Sequence, residues 1–191
     1  MLIEDRILKH KIIFLERFFV AVLFIFSFMF IEVGWCAQQV NLQYMINHGV
    51  NKNLAIRIAN AAGKYSSSNP NLVIAIIQAE SNFNPKAIGK FKDKGLMQIT
   101  RGALREVVRI NPNIRYAPND LFNVEYNILI GCKYLEISYW RMKRYLPDGY
   151  DDLDSWAAAI GYYKDGFNWS LATFIHIKKI MAFYKQINNE F

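Results

Sequence analysis

The sequence predicts a mainly α fold, α+β only through one small β element, in a single domain. Three observations carry that prediction. Apolar residues recur at three- and four-residue spacing in successive segments after Asn41, only one short stretch alternates as a strand would, and no repeat, low-complexity block or linker divides the chain. Its 191 residues are enough for one compact domain and hardly for two.

The first element is a leader. Residues 18–31 read FFVAVLFIFSFMFI, apolar but for Ser27, and Arg6, Lys9, Lys11 and Arg17 precede them. A basic segment followed by an apolar run shorter than the roughly 20 residues of a spanning helix is the layout of an export signal. This run accounts for much of the 53% hydrophobic content, which exceeds the soluble-domain norm. Small residues in Gly34-Trp35-Cys36-Ala37 offer cleavage after Cys36 or Ala37, while Trp35 and Glu32 fit a cleavage site poorly. Two readings therefore stand, a cleaved signal peptide or an uncleaved signal anchor over residues 1–37, with the working domain at residues 38–191. Either one places that domain in the periplasm or cell envelope, with membrane association through the N-terminal segment in the anchored case.

The leader balances four basic against four acidic side chains, so the net charge of +7 belongs to residues 38–191. Such a surface favours anionic partners, namely membrane lipid, nucleic acid or a carboxylate-bearing wall polymer, and the export signal argues against nucleic acid. Lys86, Lys90, Lys92 and Lys94 read as a solvated loop. Cys132 is alone in the domain once Cys36 is removed, which implies no internal disulfide.

Within the domain, Asn53–Lys64 carries Leu54, Ile58, Ala61 and Ala62 on one side and ends near Gly63 and a run of serines. Asn69 caps and Pro70 opens the next helix, whose apolar run Leu72–Ala79 makes it the core helix. Gly95–Thr100 is short and alternating enough for a strand. Thr100 caps a helix over Arg101–Ile110, which Asn111-Pro112 stops. A longer helix from about Val124 to Tyr145 sets Ile128, Leu135 and Met142 on one face. Asp151–Asp154 complement the N-terminus of a helix through Trp156–Ile160 and lack the alternating oxygen ligands of a calcium loop. The last helix spans about Trp169–Ile187.

One carboxylate stands out in the stretch IIQAESNFNP. Glu80 shares its helix face with Ile77, Ile76 and Val73, so it projects beside an apolar surface. Loss of water disfavours the charged form, and the negative end of the helix dipole acts in the same direction. Both effects favour a protonated acid able to donate to a leaving oxygen. Periodicity alone favours the plainer reading, in which Glu80 swings into solvent or caps the Ser81-Asn82 turn.

The surrounding motifs decide between these readings. NLVIAIIQAESNFNPKAIG, then GLMQI fifteen residues after Glu80, then LFNVEYNILIGCKYL with Asn127, Gly131, Tyr134 and Leu135, follow one another in order. Together with Ala159-Ile160-Gly161-Tyr162 they resemble the catalytic domain of the soluble lytic transglycosylases, relatives of goose-type lysozyme. The resemblance covers about Asn71–Gly166. It implies a lysozyme-like fold whose groove contains one catalytic glutamate, and cleavage of peptidoglycan between N-acetylmuramic acid and N-acetylglucosamine without water. Glu80 would first protonate the glycosidic oxygen and then take the proton of the muramyl C6 hydroxyl as O6 closes on C1. Ser81 and Gln98 would bond the sugar or the glutamate, Met97 would line the groove, Asn127 would belong to the substrate site, and Tyr162 would support the glutamate or the oxocarbenium-like sugar. Each has a plainer role too: Ser81 ending a helix, Leu96 and Met97 filling core, Gly95 making a turn.

The chain also departs from the family. Where relatives read Ala-Tyr-Asn-Ala-Gly, it has Gly161-Tyr162-Tyr163-Lys164-Asp165-Gly166, with Tyr163 in place of the asparagine and the glycine one residue late. Thr100-Arg101 replaces the usual Met-Pro after GLMQI. Rival readings are a goose-lysozyme-like hydrolase and a non-catalytic wall-binding accessory of an envelope-spanning secretion or conjugation system. The expected partner is the peptidoglycan glycan strand, with recruitment to a secretion or conjugation machine compatible with the small size. No metal or other cofactor is implied, because His10, His48 and His176 lack ligand spacing, and a core or surface position is the default for His48 and His176.

Overall fold

The computed structural model describes residues 41–147 and 151–189. The leader falls outside the described residues. Residues 41–47 are helical and enter the compact unit that begins at Val40. Six helices follow: α1 (Lys52–Tyr65), α2 (Pro70–Ser81), α3 (Arg101–Ile110), α4 (Val124–Lys143), α5 (Asp152–Asp165) and α6 (Leu171–Asn189), with a 3₁₀ turn at Asp120–Phe122 before α4.

Local chemistry sets the helix starts. Asn69, Thr100, Asn123 and Asp151 each accept a backbone N–H of the first turn in their side chain, satisfying a donor the helix leaves free. Pro70 occupies the first turn of α2, where its missing N–H costs nothing. At the far end of α2, Asn82 stops the helix in the left-handed conformation (φ 49°, ψ 46°) and returns its N–H to the Gln78 carbonyl.

Helix α2 is the axis of the fold. Every residue from Leu72 to Gln78 is buried, so the helix has no solvent face over two turns. It packs between α1 and α6, while α4 packs against α1, α3 and α5. Each fully buried Leu, Val or Ile contributes about 1.5–3 kcal/mol, which makes α2 a rigid mount for whatever follows it. The polar Gln78 is satisfied there by the Tyr44 hydroxyl, which donates to its Oε1 at 2.7 Å. On α4 the predicted row Ile128, Leu135 and Met142 is buried as expected.

The β element is smaller than the sequence suggests. Gly95–Gln98 form a turn, flanked by isolated antiparallel bridges pairing Lys94 with Ile99 and with Ile88. Gly95 (φ +76°) and Gln98 (φ 47°) both lie in the left-handed region, so the chain curls where alternation reads as a strand. Helix α5 is longer than expected, running through Tyr162, Tyr163 and Lys164 to Asp165 rather than yielding to a loop there. Cys132 is buried, and burial pushes its thiol up to about 12, leaving an inert core residue.

Candidate active site

The last turn of α2 delivers Glu80 to the surface of the core with its side chain only 6% exposed. Its exit is held by strain. Asn82 and Phe83 both have positive φ, at 49° and 62°, and Phe83 is nevertheless buried at 4% exposure. A bulky residue in that region costs on the order of 1–3 kcal/mol and persists only where packing fixes it. Buried Phe83 therefore pins the chain directly after the glutamate.

Two basic side chains reach the carboxylate from other helices. The His176 ring, on α6, sets Nε2 at 2.9 Å from Glu80 Oε1, and Lys164 of α5 sets Nζ at 3.5 Å from Oε2. The His176 side chain is 14% exposed and that of Lys164 is 42% exposed, so the imidazole holds the inner oxygen and the ammonium the outer one. The apolar surroundings read from the sequence hold for the helix below Glu80. They do not hold for the carboxylate itself, which is bonded on both oxygens.

Helix α6 meets Glu80 in this register because the α5–α6 turn is tied. The Thr173 hydroxyl, fully buried, donates to Asp165 Oδ2, and the Trp169 indole donates to the Gly166 carbonyl. Gly161 admits the Trp169 ring, which would stand 2.5 Å from a Cβ there. His176 then lies on the α6 stripe that includes buried Thr173, Ile180 and Ile187.

The GLMQI loop closes another side. Met97 is fully buried, and a Cβ on Gly131 would meet its sulfur at 2.2 Å, so helix α4 packs directly on it. Expected along the groove, Met97 instead fills core. Its N–H donates to Asn127 Oδ1 at 2.8 Å and its carbonyl accepts the Tyr163 hydroxyl at 2.7 Å. Asn127, expected to meet substrate, is 1% exposed and clamps the loop. Its amide nitrogen donates to the Lys94 and Leu121 carbonyls at 2.9 and 2.7 Å. Gly95 is required at this clamp, since a Cβ would lie 2.3 Å from both Leu121 O and Asn127 Nδ2. Gln98 braces the same loop through Nε2 to the Gly95 carbonyl at 2.8 Å. Ser81 donates its hydroxyl to the Ile77 carbonyl at 3.0 Å, ending the helix.

Adjacent tyrosines diverge. Tyr162, expected beside the glutamate, turns away into a cluster on α4, where its hydroxyl accepts from Arg141 Nη1 at 2.6 Å and Arg141 also pairs with Glu106 of α3. Tyr163 faces the Glu80 side, its ring 5.3 Å from that of Tyr134. Burial, and after it the charge of Glu80, hold the Tyr163 phenol well above its usual range. The structure thus gathers Glu80, Tyr163, Lys164 and His176, and sends Tyr162 elsewhere. His176 carries one signal legible in the sequence: it is a polar ring on an otherwise apolar helical stripe. A cavity of about 430 Å³ lies apart, in the crease between α3 and α4, lined by Ile110, Lys133, Ile137, Trp140 and Arg144 among others. Among the described residues no group of three or more His, Cys, Asp or Glu is placed to hold a metal ion.

Comparison with known proteins meets this geometry. The chain is 32% identical over 163 residues to the membrane-bound lytic murein transglycosylase C of Histophilus somni, covering 76% of this chain and 43% of that protein. It is 31% identical over 121 residues to the endo-type membrane-bound lytic murein transglycosylase A of Enterobacter sp., covering 59% of this chain and 58% of that one. The matches thus span about half the length of these curated relatives. Among solved structures, the 70 kDa soluble lytic transglycosylase of Escherichia coli superposes with a TM-score of 0.56 at 21% identity, over 68% of this chain and 24% of that one. The lytic transglycosylase Slt of Pseudomonas aeruginosa, solved as an inactive mutant, gives 0.51 at 17% identity, over 70% and 23%. These two likenesses establish the lysozyme-like fold. Residues 57–173 match the model of the transglycosylase SLT domain, most of the domain described above, and the chain belongs to that family.

Proposed function

We propose that this protein is a peptidoglycan lytic transglycosylase that cleaves the MurNAc-GlcNAc β-1,4 bond and leaves 1,6-anhydro-MurNAc ends. One observation carries the reading. Glu80 is a sheltered carboxylate on a rigid mount, and the two groups bonded to it, His176 and Lys164, are basic side chains rather than a second carboxyl. Hydrolytic glycosidases set a second carboxyl across the scissile bond as base or nucleophile. Here the muramyl C6 hydroxyl supplies the nucleophile from within the substrate, and its effective concentration replaces the second group.

In this reading the Glu80 carboxyl gives its proton to the glycosidic oxygen as the C1–O bond breaks. The resulting carboxylate then takes the C6 hydroxyl proton as the O6–C1 bond forms, and Glu80 ends as it began. Tyr163 fixes the backbone of the GLMQI loop through the Met97 carbonyl. An envelope location follows from the leader pattern and accords with relatives named membrane-bound. Among the described residues no helix is long and apolar enough to cross a membrane. The test is mass analysis of muropeptides released from intact sacculi by the full-length chain. Products two hydrogens and one oxygen lighter than the hydrolytic ones, resistant to borohydride, are expected; reducing ends would make it a hydrolase, and no release would make it a wall-binding protein.

A further inference from the structure

We infer that His176 is a positioning residue for Glu80: its Nε2–H holds Oε1 as an acceptor, so that Oε2 is the oxygen that carries the transferable proton. The inference rests on the proposed role of Glu80 and adds to it the question of which oxygen reacts.

The argument is geometric. A carboxylic acid transfers its proton productively only when one oxygen faces the substrate and the rotation of the group is stopped. Helix α2 fixes the Glu80 backbone, but a glutamate has rotatable bonds of its own, and nothing on α2 itself fixes its carboxyl plane. His176 does so from across the interface, at hydrogen-bond distance and with a side chain 14% exposed. Its helix is braced in turn by the Asp165–Thr173 bond and by buried Ile180 and Ile187. An oxygen already accepting an N–H from the less exposed partner is engaged within the protein. The other oxygen has only the longer contact, to Lys164 Nζ at 3.5 Å, and the Lys164 side chain is 42% exposed. A glycan entering there takes the place of the ammonium at Oε2. A core histidine serving only packing would have no need of a carboxylate partner.

The test compares full-length wild-type protein, Glu80→Gln, His176→Gln and His176→Leu on sacculi, with kcat and KM separated and thermal midpoints recorded. Glutamine places an amide N–H near the position of Nε2, whereas leucine matches much of the volume and donates nothing. His176→Leu is expected to lower kcat about 30-fold, or roughly 2 kcal/mol, with KM within twofold, and His176→Gln to restore kcat to within about threefold of wild type. The kcat–pH profile of His176→Gln is expected to keep its wild-type shape, because Glu80 transfers the proton with Lys164 and Tyr163 of α5 still facing it. Wild-type kcat in His176→Leu overturns the inference. So does a His176→Gln variant that loses a limb of the profile, since the imidazole itself would then move the proton. If His176→Leu does not fold, the His176→Gln rate and profile decide alone. Full activity in Glu80→Gln would instead sink the proposed function, while an inactive Glu80→Gln beside an undiminished His176→Leu removes only the role of His176.

Discussion

Glu80 and Glu106 are both sheltered carboxylates gripped by cations from neighbouring helices, with side chains 6% and 21% exposed. They differ in what grips them. Glu106 pairs with Arg141, whose guanidinium is raised further by that bond and by the Tyr162 hydroxyl, and arginine does not lose its charge in proteins. That cluster ties α3 to α4 and α5. Glu80 instead faces an imidazole at 2.9 Å and a partly exposed amine at 3.5 Å. The contrast teaches that a buried carboxylate is read by its partners: a guanidinium that also holds a tyrosine makes it scaffold, whereas one imidazole bond and a longer ammonium contact leave an oxygen for the proposed reaction.

The sharpest way to break this comparison is to neutralise each member. Glu80→Gln is expected to lower turnover on sacculi on the order of 10³-fold or more, because it removes the proposed acid and base of both steps at once, with little change in the denaturation midpoint. Glu106→Gln is expected to do the reverse, costing about 1–2 kcal/mol of stability after allowance for exposure and leaving turnover per folded molecule near wild type. If both fall equally in turnover, the distinction between scaffold and site is wrong.

Next in size is the clamp that separates the two regions. Asn127→Ala would leave the Met97 N–H and the Leu121 carbonyl without their partner in a buried loop, while the Lys94 carbonyl keeps the Ile99 N–H, at a cost of about 2–4 kcal/mol. Urea unfolding checks it, and a change below 1 kcal/mol would mean the loop finds other partners. Tyr163→Phe is smaller, about 1–2 kcal/mol for the orphaned Met97 carbonyl. It is expected to exceed Tyr162→Phe in its effect on turnover, since Tyr163 holds the Met97 carbonyl and feels the charge of Glu80, whereas Tyr162 bonds Arg141.

How much of this was legible depended on how local the cause was. Helix starts at Asn69-Pro70, Thr100 and Asp151 were readable because a cap is a contact between near neighbours. The strand expected at Gly95–Thr100 failed because alternation does not show that Gly95 and Gln98 take positive φ. The tyrosine was displaced by one residue, which on a helix is a rotation of about 100°. A motif match alone could not tell whether Tyr162 or Tyr163 faces the glutamate, and α5 running on to Asp165 makes it Tyr163. His176 lies 96 residues from its partner, and only the packing of α6 on α2 joins them. Its place on an apolar stripe was visible in the sequence, the carboxylate waiting beneath it was not.

A third carboxylate supplies the weakest and cleanest control. Glu125 of α4 is held by Arg57 of α1 through two bonds of 2.7 Å, side by side, with both side chains more than 40% exposed. The Arg57 bond holds the Glu125 carboxyl below the usual carboxylate range. A carboxyl whose folded state ionises more readily than its unfolded state adds stability at neutral pH, and that contribution disappears as pH falls through its folded-state value. Exposure limits the pair to about 0.5 kcal/mol. Wild type should therefore be slightly more stable than Glu125→Gln at pH 7, and the two should converge in acid below the normal carboxylate range. Turnover should not differ at either pH, because this pair, like Glu106 with Arg141, is a carboxylate fixed by arginine. A loss of activity in Glu125→Gln without loss of stability would show that arginine pairing does not mark scaffold, and would remove the ground for treating Glu80 as different in kind.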